Sequence, residues 1–104
     1  MEDLKPLKPF FIEIRLPETK SERFMELVPK HRMAVQKWIK QGVIRSYNLS
    51  YDRTMLWVVM YGSSYSSIAD AVASLPLAEY FESKITELLF TENNSSYLPE
   101  LSVN

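Results

Sequence analysis

The chain has no cysteine, two glycines and one histidine among its 104 residues. Without cysteine there is no disulfide framework, no thiol nucleophile and no thiolate metal site. With only Gly42 and Gly62, no glycine-rich loop exists to cradle a phosphate. A single histidine excludes a dedicated transition-metal centre built from several nitrogen or sulfur ligands, and no metal is expected. Charge of one sign is missing too. Twelve basic residues meet thirteen acidic ones for a net charge of -1, and they are scattered, so no basic patch forms for nucleic acid. The longest apolar run extends from Met55 to Met60, far short of the roughly 20 residues that span a bilayer. The first residues, Met1-Glu2-Asp3-Leu4-Lys5-Pro6, are acidic with an early proline, unlike a secretory signal. The expected location is the cytoplasm, with neither membrane nor nucleic acid as partner.

What is present is a 46% apolar, 24% charged composition, that of an ordinary globular domain. The reading is one domain over residues 1-104, with an irregular arm at 1-9, a core at about 10-90 and a polar tail at 91-104. Phe10, Ile12, Ile14 and Leu16 alternate with Phe11, Glu13 and Arg15, which is the period of a strand, closed by Pro17. Phe24, Leu27, Val28, His31, Val35, Trp38 and Ile39 then recur at helical spacing between an N-cap at Ser21 and Gly42. Pro29 falls inside this stretch, and a kink or break is expected there. Val43–Leu49 alternates as a polar edge strand, and Thr54–Tyr61 is almost wholly apolar, the composition of a central strand. A second helix carries Ile68, Ala71, Val72 and Leu75, capped by the serines of 63–67 and ended by Pro76. A last strand is expected over Ser83–Phe90.

The order β-α-β-β-α-β is that of the split βαβ, ferredoxin-like α+β fold with a four-stranded antiparallel sheet. Right-handed crossovers put the first and third strands in the centre. Two helices cover one face of such a sheet, yet both faces of the third strand are apolar, and Phe11 adds to the uncovered side. Each such side chain is worth about 1.5–3 kcal/mol when buried. A second copy related by a two-fold axis is therefore expected to cover it, giving a homodimer or a larger homo-oligomer.

Several segments resemble muconolactone isomerase-like proteins: the first strand ending in Leu16-Pro17, Gly42 followed by Val43-Ile44-Arg45, the hairpin with Asp52-Arg53 and Leu56-Trp57, and Leu75-Pro76-Leu77 with Tyr80-Phe81 and Ile85. The similarity covers roughly Phe10 to Phe90. It implies a dimeric α+β barrel and cofactor-free isomerase chemistry on a small lactone. This chain departs from the enzyme's pattern in the last strand, where Lys84 and Thr86 stand at acidic positions and Thr91 lies near the place of a histidine. At His31 the enzyme carries an acid. Scaffold and chemistry are thus separable in this chain.

His31 shares the apolar helical stripe, so its ring points at the sheet and suits proton transfer, while Tyr47 is expected to donate a hydrogen bond into the pocket. The plainer account of His31 is a core histidine bonded to one partner. Arg45 is expected on the same strand face as Tyr47, and Trp38, Trp57 and Thr86 complete a ligand-binding set. The plainer account of the two tryptophans is core. The resulting expectation is a binder of a small organic molecule in a helix–sheet pocket, an enclosed, mostly apolar cavity of about 300 Å³ or more, with isomerase-like chemistry and no cofactor. Two alternatives stand beside it: a catalytically silent dimerisation or sensing domain, and a cofactor-independent monooxygenase.

Overall fold

A computed structural model describes residues 6–92. The elements run β1 (Lys8–Arg15), α1 (Glu22–Lys40), β2 (Ile44–Leu49), β3 (Met55–Gly62), α2 (Tyr65–Ala73), a 3-10 turn (Ala78–Tyr80) and β4 (Glu82–Glu87). The antiparallel sheet has the order β2-β3-β1-β4, so the two most apolar strands are central, as expected. This is a ferredoxin-like α+β arrangement. Alternation does the sorting. Phe10, Ile12, Ile14 and Leu16 from β1 and its end, with Leu56, Val58 and Met60 from β3, are all buried under the helices. Phe11, Met55, Trp57, Val59 and Tyr61 take the opposite face and stay half-buried.

Two strand boundaries differ from the sequence reading by more than one residue. β1 begins two residues early, at Lys8, because Pro9 sits opposite Tyr61 near the strand start, where a missing N–H is tolerated. β4 stops at Glu87 rather than Phe90. Leu88 N–H donates to the Pro9 carbonyl at 2.9 Å, and Pro9 has no N–H to return, so the ladder ends there. Leu89 and Phe90 are exposed as a result. The apolar tail around Tyr97 and Leu101 lies outside the described residues.

The expected break at Pro29 does not occur. α1 runs through it as one helix, with Pro29 on the exposed face. Phe24 before the proline and His31 and Val35 after it are buried on the same sheet, and this packing outweighs the lost hydrogen bond and the ring clash. The ends are fixed locally. Ser21 Oγ accepts from Phe24 N–H at 3.0 Å. At the other end Val43 N–H reaches the Trp38 carbonyl and Gly42 N–H the Ile39 carbonyl, a Schellman cap with Gly42 at φ 78°. A Cβ there meets nothing within 4 Å, so only backbone strain opposes it. Gly42→Ala is expected to lower the unfolding free energy by about 1 kcal/mol, read from urea unfolding.

β2 carries the irregularity that matters for function. Ile44 pairs with Met60 and Ser46 with Val59, so Arg45 is an extra residue, a β-bulge. After it, the alternation shifts by one. Ile44 and Tyr47 therefore share the helix face, while Arg45 leaves it.

Candidate functional site

α1 lays His31 over the sheet, 4% exposed, where Tyr47 of β2 meets it. The Nε2 atom lies 2.9 Å from Tyr47 Oη in a hydrogen bond whose direction follows the imidazole tautomer. Phe81, just after the 3-10 turn, packs edge-on against the imidazole, with centroids 5.7 Å apart and planes at 87°. His31 Nδ1 is buried and has no partner among the described residues. Burial in these apolar surroundings lowers the histidine pKa from its ordinary value and keeps the ring neutral at pH 7. Burial pushes the Tyr47 phenol up to about 12, with the Arg32 guanidinium pulling weakly the other way. The pair is thus a neutral imidazole against a neutral phenol, one able to take a proton and the other to give one.

The two side chains stand in the wall of a cleft of about 400 Å³ between the first half of α1 and the β2–β3 hairpin. Phe24, Val28, Leu56 and Leu77 give it apolar walls, and Lys20, Arg32 and Arg53 add three cations. Lys20 ties its rim together. Its ammonium donates to the Pro17 carbonyl and, at 2.8 Å, to the Arg53 carbonyl, so the loop before α1 is fastened to the hairpin tip. Behind His31 and Tyr47, a small hollow of about 10 Å³ remains among apolar side chains that include Ile12, Leu75 and Phe81. Where the sequence reading expects an enclosed cavity, the described residues place the pair beside a cleft edged by exposed side chains, with this water-sized hollow behind it.

Of the residues singled out beforehand, His31 and Tyr47 come together and the others do not join them. The bulge turns Tyr47 to the helix face and leaves Arg45 on the opposite one, where its guanidinium stacks 4.2 Å from the Tyr61 ring centroid and Nε donates to the Gly42 carbonyl at 3.0 Å. Trp57 pairs across the sheet with Glu13 and Asn48, and Thr86 with Phe11, all on that same uncovered face. Trp38 packs against the core from the C-terminal end of α1 and does not line the cleft. Sequence reasoning missed Lys20, Phe24, Arg32 and Arg53. Phe24 had a signal, since it lies seven residues before His31 on one helical stripe. Arg53 had none, because only the folded hairpin brings it to α1.

The fold is thus ferredoxin-like and the site a helix–sheet cleft with a histidine–tyrosine pair in its wall. No protein-family profile matches the chain, and no curated protein matches it. The structure of a conserved protein of unknown function from Bacteroides thetaiotaomicron VPI-5482, described as a possible oxidoreductase, matches with a TM-score of 0.44 and 13% identity, over 81% of this chain and 97% of that one. Likeness at that level says nothing about chemistry. No group of three or more His, Cys, Asp or Glu suited to a metal ion occurs among the described residues, and no helix among them is long and apolar enough to cross a membrane.

Proposed function

We propose that the chain binds a small organic molecule in the α1–hairpin cleft and moves a proton on it with His31 and Tyr47, without a cofactor, in the manner of a muconolactone isomerase-like protein. The observation that carries this reading is the buried imidazole 2.9 Å from a phenol in the wall of a cleft with apolar sides and three cations. A lowered pKa leaves the imidazole free to accept a proton near neutrality, and the phenol stays protonated to donate. A double-bond shift needs no more than that. One C–H proton beside a carbonyl is removed, the electron pair moves along the conjugated system, and a proton returns at its far end. No electrons are gained or lost.

The test is solvent deuterium exchange into enolisable unsaturated lactones, followed by NMR. The protein is expected to accelerate exchange over buffer, and His31→Gln to abolish the acceleration while leaving the fold intact. Binding without exchange would favour the silent sensing reading. A lactone panel that neither exchanges nor perturbs the His31 and Tyr47 resonances would remove the site.

The reading includes a homodimer closed through the uncovered sheet face. Phe11, Met55, Trp57, Val59 and Tyr61 form its apolar part along β3 and the first half of β1, while Glu13, opposite Trp57 and beside Lys84, with Arg15 and Thr86, makes the β1–β4 side polar.

A further inference from the structure

The outer side of α1 carries a second surface, different in character from the cleft. From Val28 to Lys40 the helix has four cations, Lys30, Arg32, Lys37 and Lys40, and no acid. A shallow groove of about 820 Å³ runs along this side, and its lining includes Val28, Pro29, Met33, Arg32, Lys37 and Lys40. Met33 is 73% exposed, a large apolar side chain left in water one turn beyond Pro29. The other end of the sequence is the reverse. After Lys84 there is no Lys or Arg, while Glu87, Glu92 and Glu100 are acidic and Tyr97, Leu98 and Leu101 are apolar. We propose that residues 93–104, which lie outside the described residues, occupy this groove in their own chain, with Tyr97, Leu98 and Leu101 on Met33 and Pro29 and with Glu100 among the cations.

Strand register puts the two within reach. Glu87 pairs with Phe10, Phe10 with Met60 and Met60 with Ile44, so the exit of β4 and the entry of β2 lie on one row across the sheet. That row is three strand spacings wide, about 14 Å. The C-terminal end of α1 stands at the entry of β2, where Val43 N–H donates to the Trp38 carbonyl. Fully extended, residues 93–104 cover about 40 Å, against about 20 Å of helix from Val28 to Gln41. The tail thus meets Lys40 first and runs on toward Pro29. Charge then selects the occupant. A second copy of α1 would bring like charges to the groove, whereas the tail brings an acid and no cation. Tethering also holds the tail near the groove at an effective concentration of about millimolar, which a separate acidic partner has to match.

The experiment exploits the lack of cysteine. Ser102→Cys in the full chain supplies one thiol for a nitroxide label, and NMR then reads line broadening at the methionine methyls and the α1 amides. Broadening is expected to be strongest at Met33, Lys37 and Lys40, and weaker at Met55 on the uncovered sheet face. Lys37→Glu with Lys40→Glu is expected to lower the docked-to-free ratio about fivefold, the upper end for exposed ion pairs, and to weaken broadening at Met33 accordingly. Adding Glu100→Lys to that double variant is expected to recover most of the loss. Both lysines are exposed, so the melting temperature is expected to hold. No broadening on α1, broadening strongest elsewhere, or broadening that survives the charge reversal overturns the proposal. A mixture of nitroxide-bearing chains with isotope-labelled chains free of nitroxide gives the last test. Met33 is expected to stay sharp there, and its broadening would put the tail of a second copy in the groove and overturn docking within one chain.

Discussion

The unsubstituted chain is expected to sediment as a dimer, and Trp57→Glu as a folded monomer under the same conditions. Trp57 lies mid-strand on β3, pairs with Glu13 on one side and Asn48 on the other, and faces away from both helices. Covering it and its four apolar neighbours contributes about 1.5–3 kcal/mol for each side chain fully removed from water. A carboxylate at the centre of that contact adds an unpaired charge to be desolvated, several kcal/mol more. Losing Trp57's share and adding that cost, about 4 kcal/mol or more in all, weakens an ordinary micromolar dimer, near 8 kcal/mol, at least about a thousandfold. The monomer itself is expected to persist, because the helix-side core around Phe10, Ile12 and Met60 is untouched. Analytical ultracentrifugation at micromolar concentration decides the matter. An unsubstituted chain that runs as a monomer, or a Trp57→Glu dimer of undiminished affinity, would end the barrel reading.

The second large effect is on the acid side of the stability profile. His31 is neutral and buried, and its folded-state pKa is lower than the ordinary 6.5 it regains on unfolding. Below about pH 6.5 the unfolded chain therefore binds a proton that the folded chain refuses. Stability falls as pH falls, with a slope of at most one proton, about 1.4 kcal/mol per pH unit, until the folded-state pKa is reached and the slope flattens. Carboxylates add their own slope at lower pH, so the comparison is between the chain and His31→Gln, which cannot titrate. Urea unfolding at pH 7, 6 and 5 is expected to show the difference in stability between the two narrowing with acid. A constant difference would mean that folding leaves the His31 pKa where it is in the unfolded chain, and the buried neutral imidazole would go with it.

The element order was legible because each element has its own period. β1 alternates cleanly, α1 repeats its apolar residues every three or four positions, and β3 is apolar on both sides because it is central. His31 was legible for the same reason, as a titratable group on a buried stripe. Three kinds of information were not local. Pro29 has a strong intrinsic effect that the packing of residues on either side of it overrides. The bulge at Arg45 is a property of the β2–β3 pairing, and strict alternation along β2 put Arg45 beside Tyr47 when the ladder sends them to opposite faces. The cations of the cleft come from a loop, a helix and a hairpin tip, and only the Lys20 bridge to the Arg53 carbonyl shows that they share a wall. Trp57 and Thr86 were misplaced for a simpler reason. Large or polar side chains on the uncovered face look like site residues until strand pairing shows which way the strand turns them.

The extra residue in β2 makes chain length part of the chemistry. Gly42 fixes where the strand starts, and the surplus residue at position 45 decides which side of the sheet receives every later side chain. Tyr47 reaches the imidazole only because that count is odd. Between the end of α1 and the phenol, then, the spacing is as much a component of the site as the two rings it brings together, and amino-acid identity there is the looser constraint.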